Sequence, residues 1–271
     1  MSEARLPTVD CWRIDLDSPL PPGAEHWIAA AEHARADRFR FAHLQRRYRA
    51  TRAALRVLLA RELDLSPADV RFVRSARGKP ELDPAHDSPL HFNLTHSEHV
   101  AWVALGRQEL GIDLEVLGRE VRTLDSLIHR VTTPTEAARL LAMPEDLREL
   151  AFLLMWTRKE STLKAWGEGI TGMGSLNTLD SQLPEIGSLT TFLRRHHPER
   201  PDGHTPRRLP DCPQATDHAL PQTRIHYPAV RLPSADGPRP PLYATTFDLG
   251  SELITVSSPA PFRATIRHFS Y

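Results

Sequence analysis

Apolar positions along the chain change their period several times, and those changes divide it into elements. From Leu44 to Leu63, residues Leu44, Tyr48, Leu55, Leu58, Leu59 and Leu63 recur at helical spacing with arginines on the other faces, which predicts a long helix. Ser66-Pro67 ends it, because the residue before a proline is pushed out of the helical region. Val70 to Val73 alternates apolar with basic residues as a short strand does, and a turn at Arg77-Gly78-Lys79-Pro80 follows. Strands are predicted at His91 to Leu94, Val100 to Leu105 and Leu110 to Val116, with neighbours antiparallel because the connections are short. From Val121 the pattern is helical again, through two or three short helices to the strongest, Asp146 to Trp166. His196 to Pro241 is rich in Pro, His and Arg and poor in large apolar residues, which predicts an irregular insertion over about 194–241. Two terminal strands are expected at Leu242 to Phe247 and Glu252 to Val256. Helix, strands, then helices is the order of an α+β protein.

Composition narrows the function classes. Lys plus Arg and Asp plus Glu are equal at 34 each, so no global field recruits nucleic acid or an anionic membrane, and any anion site has to be local. The first residues lack a basic region followed by an apolar run, and no stretch reaches the roughly 20 apolar residues that span a bilayer, so a cytoplasmic location is expected. Cys11 and Cys212 are too few and too far apart for a disulfide framework or a metal site.

Four short segments carry chemistry. In Gly111-Ile112-Asp113-Leu114-Glu115, a strand places Asp113 and Glu115 on one face and Ile112 and Leu114 on the other, so two carboxylates stand side by side as a hard divalent cation requires. Alone, the same pattern fits the polar face of an edge strand. In Trp156 to Lys164, Glu160 and Lys164 are one helical turn apart, which alone is an ordinary ion pair. Thr95, His96 and Ser97 offer hydroxyl and imidazole groups to a phosphate, and Arg74, Arg77 and Lys79 surround the Gly78-Pro80 turn as an anion clamp does. The glycine run Gly167 to Gly174 closes a helix instead of opening one, so it is read as a helix terminus and not a nucleotide loop. Histidines 196, 197, 204, 218 and 226 match no zinc spacing.

In this order, Gly78-Lys79-Pro80, Phe92 to Ser97, Gly111 to Glu115 and Trp156 to Lys164 resemble the motifs of phosphopantetheinyl transferases of the larger, surfactin-synthetase-activating type, over about 35–172. The resemblance implies a monomer of two similar α/β subdomains, a pseudo-dimer divided here as 1–107 and 108–271, with coenzyme A in the cleft between them. It implies that Asp113, Glu115 and Glu160 hold Mg2+, that Lys164 contacts the pyrophosphate, and that Glu160 and Lys164 are catalytic. Arg35, Arg74, Arg77, Gly78, Lys79, Pro80, Thr95 and His96 are then expected at the nucleotide. The implied reaction moves 4'-phosphopantetheine from coenzyme A to a serine of an apo acyl or peptidyl carrier protein, releasing adenosine 3',5'-bisphosphate. The alternatives are a magnesium-dependent phosphoesterase or nucleotide hydrolase using the same carboxylates on water, and a non-catalytic carrier-binding module.

Overall fold

The computed structural model describes residues 6–118, 121–169, 173–174, 176, 225–232 and 242–271. Two four-stranded sheets organise them. The first runs β10-β1-β5-β4, from β1 (Thr8–Asp15), β4 (His91–Ser97), β5 (Val100–Gly106) and β10 (Arg263–Phe269). The second runs β6-β9-β8-β7, from β6 (Gly111–Val116), β7 (Ile225–Leu232), β8 (Leu242–Asp248) and β9 (Glu252–Ser258). A hairpin of β2 (Phe72–Arg74) and β3 (Pro80–Leu82) stands apart from both. All pairings are antiparallel except β1 with β10, which is parallel. The helices are α1 (Ala30–Ala36), α2 (Ala42–Leu63), α3 (Leu124–Val131), α4 (Pro134–Leu141) and α5 (Glu145–Trp166). The mixture is the expected α+β class, and no helix among the described residues is long and apolar enough to cross a membrane.

The sheets lie face to face between the two long helices. Ala101, Val103 and Leu105 of β5 pack under Leu55, Leu58 and Leu59 of α2, while Val100, Trp102 and Ala104 meet Ile112, Leu114, Ile254 and Val256 of the second sheet. A strand covered on both faces reads as a continuous apolar run, which is why Val100 to Leu105 shows no alternation. Across the sheet interface, Arg13 donates from Nε and Nη2 to Glu252 Oε1 at 2.9 and 2.7 Å, and the Trp102 indole donates to Glu252 Oε2 at 2.8 Å. Helix α5 covers the other face of the second sheet and is buried around most of its circumference.

Three features depart from the sequence pattern. β1 and β10 were not expected, and β10 returns from the far end of the chain to pair with β1, so a strand from the segment 108–271 sits in the sheet built by 1–107. β7 is a strand where an irregular insertion was expected; it lies at a sheet edge and its register shifts between Tyr227 and Val230, around Pro228, where no N–H is available for the ladder. The remainder of 194–241, with histidines 196, 197, 204 and 218, lies outside the described residues, whereas His226 falls on β7. The glycine run begins as predicted: Gly167 caps α5 in the left-handed conformation, with φ 69°.

Candidate active site

The site forms where the edge strands β4 and β6 meet beneath α5. Asn93 fixes that junction, its Oδ1 accepting from the Ile112 N–H at 3.0 Å across the two sheets. Ile112 and Leu114 then turn into the inter-sheet core, and Asp113 faces α5. Gly111 is what lets α5 come so close: a Cβ there would stand 2.0 Å from the Ser161 carbonyl oxygen and 2.4 Å from the Ala165 nitrogen. The helix is seated by hydroxyls, with Ser161 and Ser257 at 2.8 Å and Thr255 donating to Thr157 at 3.0 Å.

This seating brings Lys164 to Asp113. The ammonium donates to Asp113 Oδ1 at 2.5 Å and to Thr95 Oγ1 at 3.2 Å, and Thr95 Oγ1 donates to the same carboxylate oxygen at 3.3 Å. Asp113 is 5% exposed, and its Oδ2 has no hydrogen-bond partner. Burial raises its pKa despite the bonds from Lys164 and Thr95. Glu115 is pushed up to about 7, by burial first and then by the Asp113 charge, which outweigh the lowering influence of Lys164 and Trp156. Glu160 is raised by the same two causes. Three acidic groups thus share one neighbourhood with a single ammonium. Among the described residues no three metal-binding side chains are gathered into a preformed cage, so the convergence expected from the sequence is electrostatic rather than a finished coordination sphere.

Two cavities flank this centre. One, of about 840 Å3, lies under α2 and is lined by Arg35, Arg47, Arg52, Arg56, Arg71 and Arg74 together with Tyr48, Phe72, Pro80 and His96. Its arginines are held in place: Arg47 grips Asp17 with two 2.8 Å bonds, and Arg52 and Arg56 both pair with Glu32 while lying 4.8 and 5.1 Å from the Phe72 ring centre. Arg35 lies 5.8 Å from the Tyr48 ring centre, and Arg74 donates to the Gly78 carbonyl at 2.8 Å. Enclosure by protein, then the Lys164 charge, holds the His96 imidazole below its usual pKa, although an edge of the ring is exposed. The other cavity, of about 660 Å3, is bordered by Glu115 and Arg122 together with Val116, Val121, Leu127, Phe152, Leu153 and Trp156.

Of the residues singled out from sequence, Asp113, Lys164 and Thr95 are bonded together at the centre, Glu115 and Glu160 lie within reach of the Asp113 and Lys164 charges, and Arg35, Arg74, Pro80 and His96 line the larger cavity. Arg77 instead pairs with Glu168 at 2.6 Å. Lys79 turns away from open space: its ammonium donates to the carbonyls of Leu110 and Ala165 at 3.2 and 3.1 Å, tying the turn at Gly78, where φ is 86°, to the start of β6 and the end of α5. Sequence reading missed Arg47, Arg52 and Arg56, whose helical spacing on α2 looked like a solvated face. It also missed Trp156 as a wall of the cavity beside Glu115, although Trp156 opens the motif that holds Glu160.

Comparison with known proteins agrees with this geometry. Residues 23–108 match the family described as 4'-phosphopantetheinyl transferase, N-terminal, and residues 109–208 match the 4'-phosphopantetheinyl transferase superfamily. The chain is similar to the 4'-phosphopantetheinyl transferase HetI of Nostoc sp., at 40% identity over 166 residues covering 60% of this chain and 70% of the relative. A putative 4'-phosphopantetheinyl transferase of Synechocystis sp. is 36% identical over 169 residues, covering 62% and 68% of the two chains. A 4'-phosphopantetheinyl transferase of Bacillus subtilis is 30% identical over 197 residues, covering 71% and 82%. The first matched segment carries the arginine-lined cavity with Thr95 and His96, the second carries the acidic centre with Lys164, and the chain belongs to the 4'-phosphopantetheinyl transferase superfamily, in its larger type.

Proposed function

We propose that this enzyme transfers the 4'-phosphopantetheine of coenzyme A to a serine of an apo acyl or peptidyl carrier protein and releases adenosine 3',5'-bisphosphate. The observation that carries the reading is the ion pair of buried Asp113 with half-buried Lys164, flanked by an arginine-lined cavity and by a second one that mixes Glu115 and Arg122 with apolar side chains. A nucleotide with several phosphates suits the first cavity, a pantetheine arm suits the second, and the pyrophosphate joining them then lies at the acidic centre. In this reading the two helix-and-sheet halves, 1–107 and 108–271 with β10 crossing back, are similar subdomains of one monomer, and the ligand occupies the cleft at their junction.

The donor set fits Mg2+. Asp113, Glu115 and Glu160 are hard oxygen donors, Asp113 Oδ2 is buried without a partner, and all three carboxyl groups have raised pKa values that a nearby cation would bring down. Bound there, the ion supplies charge neutralisation to the pyrophosphate.

The chain's own residues do the rest. Arg35, Arg74 and His96 hold the nucleotide phosphates, with Arg47, Arg52 and Arg56 behind them, and Thr95 and the Gly78–Pro80 turn border the same ligand. Lys164 orients the pyrophosphate and offsets charge that builds on the leaving group. Glu160, its pKa raised by burial and the Asp113 charge, takes the proton from the carrier serine hydroxyl. The serine oxygen bonds to the pantetheine-side phosphorus as the bond from that phosphorus to the bridging oxygen breaks, and the electron pair leaves with adenosine 3',5'-bisphosphate.

The test is incubation with coenzyme A, Mg2+ and a panel of apo carriers, read by mass spectrometry. The expected result is a carrier heavier by one phosphopantetheine with an equal amount of adenosine 3',5'-bisphosphate. Coenzyme A consumed with no carrier modified would mark a hydrolase, and carrier bound without any mass change would mark a binding module.

A further inference from the structure

Lys159 is fully buried on α5, one residue before Glu160 and three after Trp156. Its ammonium donates to Glu136 Oε2 at 2.6 Å, to the Val131 carbonyl at 3.0 Å and to the Met173 carbonyl at 2.9 Å. Three donors meet three acceptors, each from a different piece of chain: the first turn of α4, the last residue of α3 and the segment after α5. Glu136 is fixed in turn, because its Oε2 also accepts from the Thr133 N–H at 2.9 Å, closing the capping box of α4.

Apolar contacts allow a helix to roll by small angles at little cost, whereas directional bonds to three separate segments do not. Rolling α5 would carry Glu160 and Trp156 with it. Trp156 lines the cavity beside Glu115, whose lining also includes Leu127 of α3, the same helix whose end Lys159 holds.

We propose that Lys159 is a positioning residue for the transfer reaction: by locking α5 to α3 and α4 it sets the placement of Glu160 and Trp156. The proposal rests on the role given to Glu160 above. A purely structural ion pair predicts that activity follows stability, and positioning predicts that the two separate. Lys159→Met/Glu136→Gln leaves no buried charge and keeps an acceptor for the α4 cap, while Glu136→Gln alone keeps the lysine's directional bonds but strips its counter-charge.

The experiment measures melting temperature, kcat and KM for coenzyme A on wild type, Glu136→Gln and the double variant, with rates normalised to the folded fraction. The expected order of melting temperature places the double variant above Glu136→Gln. The expected order of kcat is the reverse, with the double variant down by about tenfold or more and KM within about twofold of wild type. Activity that ranks with melting temperature, or a deficit confined to KM, overturns the proposal. A wild-type chain that modifies no carrier overturns the reading of Glu160 and this inference with it, whereas an active wild type with rank-matched variants overturns this inference alone.

Discussion

The two 22-residue helices do the same structural job with opposite chemistry. Helix α2 lies on the first sheet through Leu55, Leu58 and Leu59, and the charges beside it are matched. Glu32 illustrates the matching: burial alone would raise its pKa, but Arg52, the Ala29 N–H and Arg56 together outweigh burial and hold it below the ordinary carboxylate value. Helix α5 lies on the second sheet through hydroxyls and a glycine, and although Lys159 matches Glu136, the acids of the candidate site are not matched. Asp113, Glu115 and Glu160 all rise, Asp113 by burial and the two glutamates by burial and the Asp113 charge, because these exceed what one lysine supplies. The cavity under α2 therefore presents a wall of arginines whose positions are fixed by their partners, whereas the acidic centre carries a surplus of negative charge. In the proposed reading, that asymmetry orients a ligand with anionic groups at one end and a reacting diphosphate at the other.

The contrast breaks most completely if the surplus is removed. Asp113→Ala and Glu160→Ala should each lower transfer by about three orders of magnitude, the scale seen when charge stabilisation of a transition state is lost. Since both carboxylates have raised pKa values, neither variant should melt much below wild type, and Glu160→Ala should melt at or above it. Transfer at near-normal rate in either variant would remove the assignment.

Next in size is the seat of α5. Gly111→Ala puts a Cβ 2.0 Å from one backbone atom of the helix and 2.4 Å from another, so the helix has to shift rather than a side chain rotate. The expected cost is about 1–3 kcal/mol of stability with at least a tenfold loss of kcat. Chemical denaturation and steady-state kinetics on the same preparation check both, and a variant with unchanged kcat would show that the helix placement is not critical.

What the sequence disclosed follows the same division. The acidic centre was legible because its residues fall in short segments whose local geometry, alternation on β6 and one turn on α5, already sets the side chains facing the right way. Both long helices were found to within two residues, at Leu44 for Ala42 and Asp146 for Glu145. The end of β4 was hidden because Thr95, His96 and Ser97 are polar: they extend the strand into the site instead of into a core. The parallel pairing of Cys11 with Ile266 depends on residues from the two ends of the chain and leaves no local signal, and β10 shows weak alternation because it is an edge strand. The α2 arginines were unreadable for a different reason. A basic face looks the same whether it meets water or lines a cavity, and only the placement of Phe72 and Glu32 across from it decides.

On the matched side the effects should be smaller and fall on binding. Arg35→Ala and Arg74→Ala should each raise KM for coenzyme A by about tenfold, one charge-assisted contact, and leave kcat within a few-fold. A loss confined to kcat would move these residues from the nucleotide wall to the reacting centre.

The finest test concerns the matching itself. Glu32 has a folded pKa below its ordinary 4.5, so its ionised form contributes stability that is fully present above that value and is lost as pH falls through the folded pKa. Glu32→Gln should accordingly melt below wild type at neutral pH, since Arg52 and Arg56 lose their partner, and the gap should close as pH is lowered below about 4.5. Melting curves taken from pH 7 downward, at roughly constant ionic strength to keep screening equal, measure the gap directly. A gap that stays constant across that range would mean Glu32 acts through packing and the α1 cap, where its Oε2 accepts from Ala29, and not through its charge. The cavity under α2 would then owe its order to shape, and the contrast between a matched and an unmatched helix would rest on the acidic centre alone.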